Sequence, residues 1–330
     1  MIRRSLAAAV LAAAVWVVLP LWQGEDLATV PPAISAAGAP ARLDGPAPDP
    51  VRYAYAPTCD QEPACSHWNL VSAGRRWWLP GASAVNQLAL SADGTLAAYW
   101  LDAKRGNVVH DLTTGRIRPL PVAKDAIGVE EGLQPLFSPD NRYLMMQRDQ
   151  DPPEVVDLVG GTVRRMPYVG AVRGWSASGL VFAATEPARD LPGYVARTIF
   201  TIRTPEGRPL RALTLPGDLS ATGALSPSGR TLATPARQAT PEAMATTGIV
   251  FTGDRPRTLT PHPPPGWTVT GILRWQDERT LVAAIGDEEG RHGYVTLDAE
   301  TGATGAPAIV ERPAADLPFV WTDPVVGSLS

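Results

Sequence analysis

Apolar and polar positions alternate along this chain in short bursts rather than in helical stripes. An apolar residue, a Ser and a turn precede a fresh apolar run at Leu90-Ser91-Ala92-Asp93-Gly94, Phe137-Ser138-Pro139-Asp140-Asn141, Trp175-Ser176-Ala177-Ser178-Gly179 and Leu225-Ser226-Pro227-Ser228-Gly229. Weaker copies stand at Trp275-Gln276-Asp277-Glu278-Arg279 and Trp321-Thr322-Asp323-Pro324. The runs that follow, such as Leu96–Trp100, Tyr143–Met146, Leu180–Ala184, Thr231–Thr234 and Leu281–Ile285, are bounded by Gly, Pro and Asp and are too short for helices. Each reads as a buried strand entered through a tight turn.

A third strand follows in each unit and ends in a hairpin whose Gly supplies a positive φ. Examples are Val108–Leu112 before Thr113-Thr114-Gly115, Val155–Leu158 before Val159-Gly160-Gly161, Ile199–Ile202 before Pro205-Glu206-Gly207, and Val295–Asp298 before Glu300-Thr301-Gly302. Fourth strands come next, as in Arg116–Leu120 and Arg164–Met166. The unit repeats every 40–50 residues or so, the period of propeller blades. Trp68–Gly74 and Arg75–Leu79 match a third and fourth strand without a Ser turn before them; Pro318–Trp321 and Val325–Leu329 match a first and second strand with nothing after. The two halves complete one another. The pattern therefore predicts an all-β, six-bladed propeller of four-stranded blades over 51–330, its last blade closed by N- and C-terminal strands, so that no sheet edge of the ring is left open.

The Ser-Pro-Asp-Asn and Ser-Pro-Ser-Gly turns and the Asp-Leu-Thr-Thr-Gly hairpin resemble those of the WD40-like β-propellers of TolB-type periplasmic proteins, over about residues 53–330. No Trp-Asp dipeptide follows the third strand and no Gly-His opens a blade, which separates the chain from true WD40 repeats. The resemblance implies an architecture; propellers host enzymes, binders and scaffolds alike.

Residues outside the repeats set the compartment. Arg3 and Arg4 precede an uncharged apolar stretch, Leu6–Trp22, broken only by Pro20. Residues 1–22 read as an apolar helix outside the fold, either a membrane anchor or a cleaved signal peptide, with everything after them outside the cytoplasm. The small-residue cleavage pattern is missing directly after the apolar core, which favours the anchor. Residues 23–50, rich in Pro, Ala and Gly, read as a linker that buries no core. Cys59 and Cys65, the two cysteines of the chain, suit a small disulfide loop in an oxidising compartment better than half of a metal site. Composition agrees with many tight turns: 45% apolar residues, 30 Gly and 34 Pro. The net charge of −4, with no run of Lys or Arg beyond two residues, argues against a nucleic-acid partner.

Catalytic signatures are sparse. His67, His110, His262 and His292 stand at no metal-ligand spacing and read as packing or surface residues. Asp287-Glu288-Glu289 lacks the alternation of a calcium loop and reads as a solvated connection. Gly174-Trp175-Ser176-Ala177-Ser178 has Ser where a nucleophile elbow needs its second Gly, and it falls in the repeated turn. Trp175, Trp275 and Trp321 share the repeat position of Leu90, Phe137 and Leu225, so they read as packing between blades. No cofactor fingerprint and no metal set is present. The connections between second and third strands are short in the first unit and longer and more polar afterwards. They share one face of a propeller and place Arg148, Asp149, Arg189, Tyr194, Arg237 and Arg291 on it as binding-face candidates. The sequence thus points to a non-enzymatic extracytoplasmic propeller that presents this loop face to a protein or small ligand and reaches the membrane through residues 1–22. The alternative is a small-molecule enzyme of lactonase or quinoprotein-like type with a central metal or cofactor site.

Overall fold

A computed structural model describes residues 40–56, 66–72, 75–84, 86–122, 135–147, 151–167, 169–189, 193–218, 223–239, 244–254, 256–309 and 325–326. The apolar segment at 1–22, Cys59, Cys65, Arg148, Asp149 and Trp321 lie outside the described residues. Within them the chain forms six separate sheets, antiparallel except for one edge strand of the sixth, and no α-helix. The first strands are β1 (Ala41–Arg42), β2 (Tyr53–Tyr55), β3 (His67–Ser72) and β4 (Arg75–Ser83). Blade 1 holds β5 (Leu88–Leu90), β6 (Leu96–Leu101), β7 (Gly106–Asp111) and β8 (Arg116–Pro119). Blade 2 holds β9 (Leu136–Phe137), β10 (Tyr143–Met146), β11 (Glu154–Asp157) and β12 (Val163–Arg165). Blade 3 holds β13 (Ala171–Ser176), β14 (Gly179–Pro187), β15 (Val195–Arg203) and β16 (Pro209–Pro216). Blade 4 holds β17 (Ala224–Leu225), β18 (Thr231–Ala239), β19 (Met244–Gly253) and β20 (Arg257–Leu259). Blade 5 holds β21 (Trp267–Trp275), β22 (Thr280–Asp287), β23 (His292–Asp298) and β24 (Ala308–Ile309), and β25 (Val325–Val326) returns to the first strands. The inner strands β25, β5, β9, β13, β17 and β21 neighbour one another in that order, as the blades of a propeller do.

The sixth blade is closed by both ends of the chain, though not in the proportions the sequence suggested. Its order is β1-β4-β3-β2-β25. The C-terminal part contributes β25 as the innermost strand, opposite β2 through Tyr53↔Val326 and Ala54↔Val325. The second place, expected for Val325–Leu329, is taken by Tyr53–Tyr55, which is buried on both faces and so carries no alternation to betray it. Trp68 and Arg75 fall in the third and fourth strands as expected.

The supposed linker also enters the fold. Ala41 and Arg42 add a fifth, parallel strand outside β4, and Leu43 and Ala47 are buried. The Leu43 N–H donates to the Trp78 carbonyl (3.1 Å) and the Ala47 N–H to the Leu112 carbonyl (2.6 Å), so residues 41–47 strap the sixth blade to blade 1. Backbone hydrogen bonds fasten this Pro-, Ala- and Gly-rich stretch; its composition reports nothing of them.

Two kinds of turn, one between the first and second strands of a blade and one between the third and fourth, account for the repeated phrases. In the first, a buried Ser hydroxyl gathers the turn. Ser91 Oγ donates to Asp93 Oδ1 (2.6 Å) and accepts the Leu96 N–H (2.9 Å); Ser138 Oγ donates to Asp140 Oδ1 (2.6 Å) and accepts the Tyr143 N–H (2.8 Å). Ser226 accepts the Thr231 N–H (3.1 Å), and Ser176 instead donates to the Gly179 carbonyl (3.1 Å). Satisfied in this way, a hydroxyl is buried without the penalty of an unpaired one. In the second turn, between third and fourth strands, an Asp carboxylate accepts two successive N–H groups: Asp111 from Thr113 and Thr114, Asp157 from Val159 and Gly160, and Asp298 from Glu300 and Thr301. The Thr301 N–H, with the Arg279 guanidinium, holds the Asp298 carboxyl at about 2.

Arginines on the fourth strands of blades 1 to 4 tie each of them to the next. Arg118 donates to the Leu158 carbonyl (3.0 Å), Arg211 to Ser228 (3.2 Å) and Arg257 to Ala299 (2.8 Å). At the seam, Leu112, in the place of Leu158 and Ala299, takes the Ala47 N–H instead. Gly94 shows how tight the seam is: at φ +70 a Cβ there would lie 2.1 Å from the Val51 carbonyl oxygen. Gly161, at φ +68, has nothing within 4 Å of such a Cβ. Gly161→Ala therefore costs about 1–2 kcal/mol for its left-handed backbone alone, whereas Gly94→Ala costs at least about twice that because β2 must be displaced. Denaturant midpoints of the two variants measure the difference; equal losses would contradict the seam packing.

Candidate functional site

Among the described residues, the two turn families lie at one end of blades 1–5 and consume most of their polar groups internally. Asn141 Nδ2 donates to Asp93 Oδ2 (2.6 Å), linking the Ser turns of blades 2 and 1, and Glu278 of blade 5 accepts the N–H and hydroxyl of Ser228 in blade 4. Ser176, which sits in a G-x-S-like context, is buried in such a turn, with its hydroxyl bonded to the backbone. This end of the ring is scaffold.

The opposite end carries the hairpins between second and third strands, and these differ in height. The paired strands have six residues each in blade 1 and four each in blade 2. They have nine and nine in blade 3, nine and ten in blade 4, and eight and seven in blade 5. The polar segments read from sequence as long loops are thus mostly strand: β14 runs on to Pro187, β18 to Ala239 and β22 to Asp287. In blade 3 the inner strand reaches only Ala183 of β14, so four further residues stand above it, roughly 13 Å at the rise of a strand.

Arg189 and Tyr194 are brought together on this blade 3 hairpin, both exposed. Its stem is fastened by the Ala188 N–H to the Tyr194 carbonyl (2.8 Å) and by Arg197 to Glu186 (2.6 Å). Tyr194 is 67% exposed, a large aromatic held out from the fold. Arg237 lies on the extended part of β18 in blade 4. Arg291 lies on the blade 5 hairpin, but its charge is engaged there. It pairs with Asp287 and with Glu289 (3.4 Å), and its guanidinium sits 5.5 Å from the Trp267 ring centroid.

The inner strands hold residues that sequence reasoning passed over. On β13, Val172 pairs with Phe182 and Gly174 with Val181, leaving Arg173 as a bulge. On β21, bulges fall at Thr270 and at Leu273. A bulge shifts the two-residue alternation by one, so Val172 and Trp175 pack into one cluster, and Val269, Ile272 and Trp275 into another, at spacings of three. The tryptophans pack between blades as expected, with Nε1 donating to the preceding blade: Trp175 to the Leu136 carbonyl (3.0 Å), Trp275 to Ala224 (2.9 Å). Between these anchors the bulged Arg173, Thr270 and Leu273 are exposed on strands whose free edge faces the ring axis. The inner strands of blades 1 and 4, Leu88–Leu90 and Ala224–Leu225, are wholly buried. The axis wall is therefore decorated by blades 3 and 5. The signal in sequence was the three-residue spacing of Val269, Ile272 and Trp275, which fits neither a strand nor a helix pattern until the bulges are known.

Burial accounts for the one histidine in the core. His110 Nδ1 lies 3.2 Å from the Tyr99 hydroxyl, and desolvation pushes the His110 pKa down and that of Tyr99 up. The pair walls a cleft of about 160 Å³ under the strap at Leu43, Asp44 and Gly45, smaller than ordinary ligand pockets of about 300 Å³ and more. Among the described residues no three His, Cys, Asp or Glu side chains converge to hold a metal ion.

No family model matches the chain, and no curated protein matches it. Solved structures do. TolB from Acinetobacter baumannii is similar at 18% identity, over 79% of this chain and 66% of that one, with a TM-score of 0.40. An oligogalacturonate lyase in complex with manganese is similar at 14% identity over 84% and 76%, with a TM-score of 0.42. Oligogalacturonate lyase from Vibrio parahaemolyticus is similar at 14% over 69% and 65%, with a TM-score of 0.42. At such identities the likeness is one of fold alone.

Proposed function

We propose that this chain is a non-enzymatic binding propeller that engages a protein partner through the tall hairpins of blades 3–5, outside the cytoplasmic membrane. The supporting observation is the asymmetry of that face: among the described residues, three consecutive blades pair longer second and third strands than blades 1 and 2, and the blade 3 hairpin carries Arg189 and Tyr194, both exposed. Closing the ring requires none of this height. Exposed Tyr and Arg are among the side chains enriched at protein interfaces and their hot spots. The enzymatic alternative calls for carboxylates or amides converging at the axis; the bulged residues exposed there are Arg173, Thr270 and Leu273.

The external location rests on Arg3, Arg4 and the apolar 6–22 stretch. Protease added outside intact spheroplasts should digest the propeller and spare a short N-terminal fragment; a fully protected chain would refute it. Partner binding is tested by a photo-crosslinking residue in place of Tyr194, with the same residue in place of Thr113 on the turn face as control. The expected result is a discrete crosslinked partner in the host cell from position 194 and none from 113. Equal labelling from both, or none from 194, would contradict the assignment.

A further inference from the structure

The strap at 41–47 is fastened lightly. Its parallel ladder to β4 is two residues long, and two further backbone bonds, from Leu43 to Trp78 and from Ala47 to Leu112, hold the rest. It rests on the hairpin between β7 and β8: a Cβ on Gly115 would lie 3.1 Å from the Gly45 carbonyl carbon. A segment held by so few bonds opens locally at a free energy well below that of the whole fold. Beneath it lies His110 of β7, which is 4% exposed and is the buried histidine among the described residues. The strap forms one wall of the cleft and the imidazole another.

Little in the closed cleft compensates a proton on that ring. Tyr99 of β6 brings a hydroxyl to 3.2 Å from Nδ1, neutral whichever way the bond between them runs. Pro80 of β4 and Ile117 of β8 are apolar. Among the described residues that line the cleft, the one carboxylate is that of Asp44 on the strap, which is exposed and already bonded to Arg42 (2.7 Å). On the strand of His110 itself, the Asp111 carboxylate accepts from the Thr113 hydroxyl (2.7 Å) and the Thr114 N–H (3.2 Å). We propose that the strap is an acid-released latch, closed over neutral His110 and let go when the imidazole takes a proton. A buried imidazolium lacks both water and a free counter-charge, and opening the strap gives it water. The sign follows from burial. Desolvation holds the closed-state pKa of His110 below its ordinary value, and the Asp111 charge offsets only part of that. Closure therefore has its full stability above about pH 6.5, the value for a solvated imidazole, and loses it as pH falls below. Release uncovers Leu43 and Ala47 and parts the sixth blade from blade 1 at its outer side, leaving the inner pairing of β25 with β2 in place.

The test follows the full-length chain from about pH 8 to about pH 5, above the ordinary carboxylate range, with isotope-labelled histidine rings. His110 is assigned by elimination from His67→Gln, His262→Gln and His292→Gln. Hydrogen exchange of the 41–47 amides, corrected for the intrinsic rate, is read at each pH. Protection of the strap is expected to fall by up to about tenfold per pH unit below about pH 6.5, in step with the titration of His110. The amides of β6 and β7 keep theirs. His67 is the rival source of such a response, since its ring lies 5.0 Å from that of Trp78, to which the strap is bonded. His67→Gln leaves the response intact, and His110→Asn removes it. Strap protection unchanged to pH 5, or a strap that loosens while His110 stays neutral, overturns the latch. So does a response that survives His110→Asn or vanishes with His67→Gln. The two wild-type curves decide the matter even if His110→Asn fails to fold. No partner takes part, so the latch can fail while crosslinking from position 194 succeeds, and the reverse.

Discussion

Every blade of this ring must bury both of its faces, and the sixth can do so only if the two ends of the chain meet in one sheet. That constraint organises the molecule. The pairing of β25 with β2 supplies the inner strand, β3 and β4 complete the blade, and the strap at 41–47 carries the chain across to blade 1. Among the described residues, the largest group of buried apolar side chains lies at this junction, joining Leu43 and Ala47 of the strap, Trp68 and Leu79 of the sixth blade, and Leu88 and Tyr99 of blade 1. Strand-4 arginines of blades 1 to 4 reach the next blade; at the seam a backbone N–H does the same task. A side-chain staple is replaced by chain continuity.

The two ends of the blades have been put to different uses. At the turn end, serine hydroxyls, aspartate carboxylates and arginines satisfy backbone groups or one another, so the polar chemistry of the repeats is spent on holding strands in register. At the hairpin end the repeats diverge. Blades 3–5 extend two-stranded ribbons beyond what packing requires, and blades 3 and 5 break their inner strands with bulges that free Arg173, Thr270 and Leu273. Divergence gathered on one face of a repeat array is the physical mark of a surface that answers to something outside the fold.

Much of this was legible in sequence, and the rest was hidden for definite reasons. The Ser turns and Asp-Gly hairpins are local motifs, each set by a hydroxyl or carboxylate bonding its own turn, so they marked the six blades and the strand order of the first five. Tyr53–Tyr55 was missed because three residues buried on both faces show no alternation. Leu43 was missed because a Pro-, Ala- and Gly-rich segment bonded through its backbone looks like a linker. The hairpins of blades 3–5 were placed on the right face but read as loops, since a ribbon exposed on both sides offers no apolar periodicity. The exposure of Arg173 gave no signal at all; it depends on a bulge, and a bulge depends on the partner strand.

The claim on which all else stands is that the last strand closes the ring. Native-state hydrogen exchange of the Tyr53–Tyr55 amides in the full chain, compared with a chain ending at Pro324, tests it most directly. The account predicts that the truncation strips protection from β2, spreads to β3 and blade 1, and removes the single cooperative unfolding transition. Unchanged protection of β2 in the truncated chain would contradict the closure.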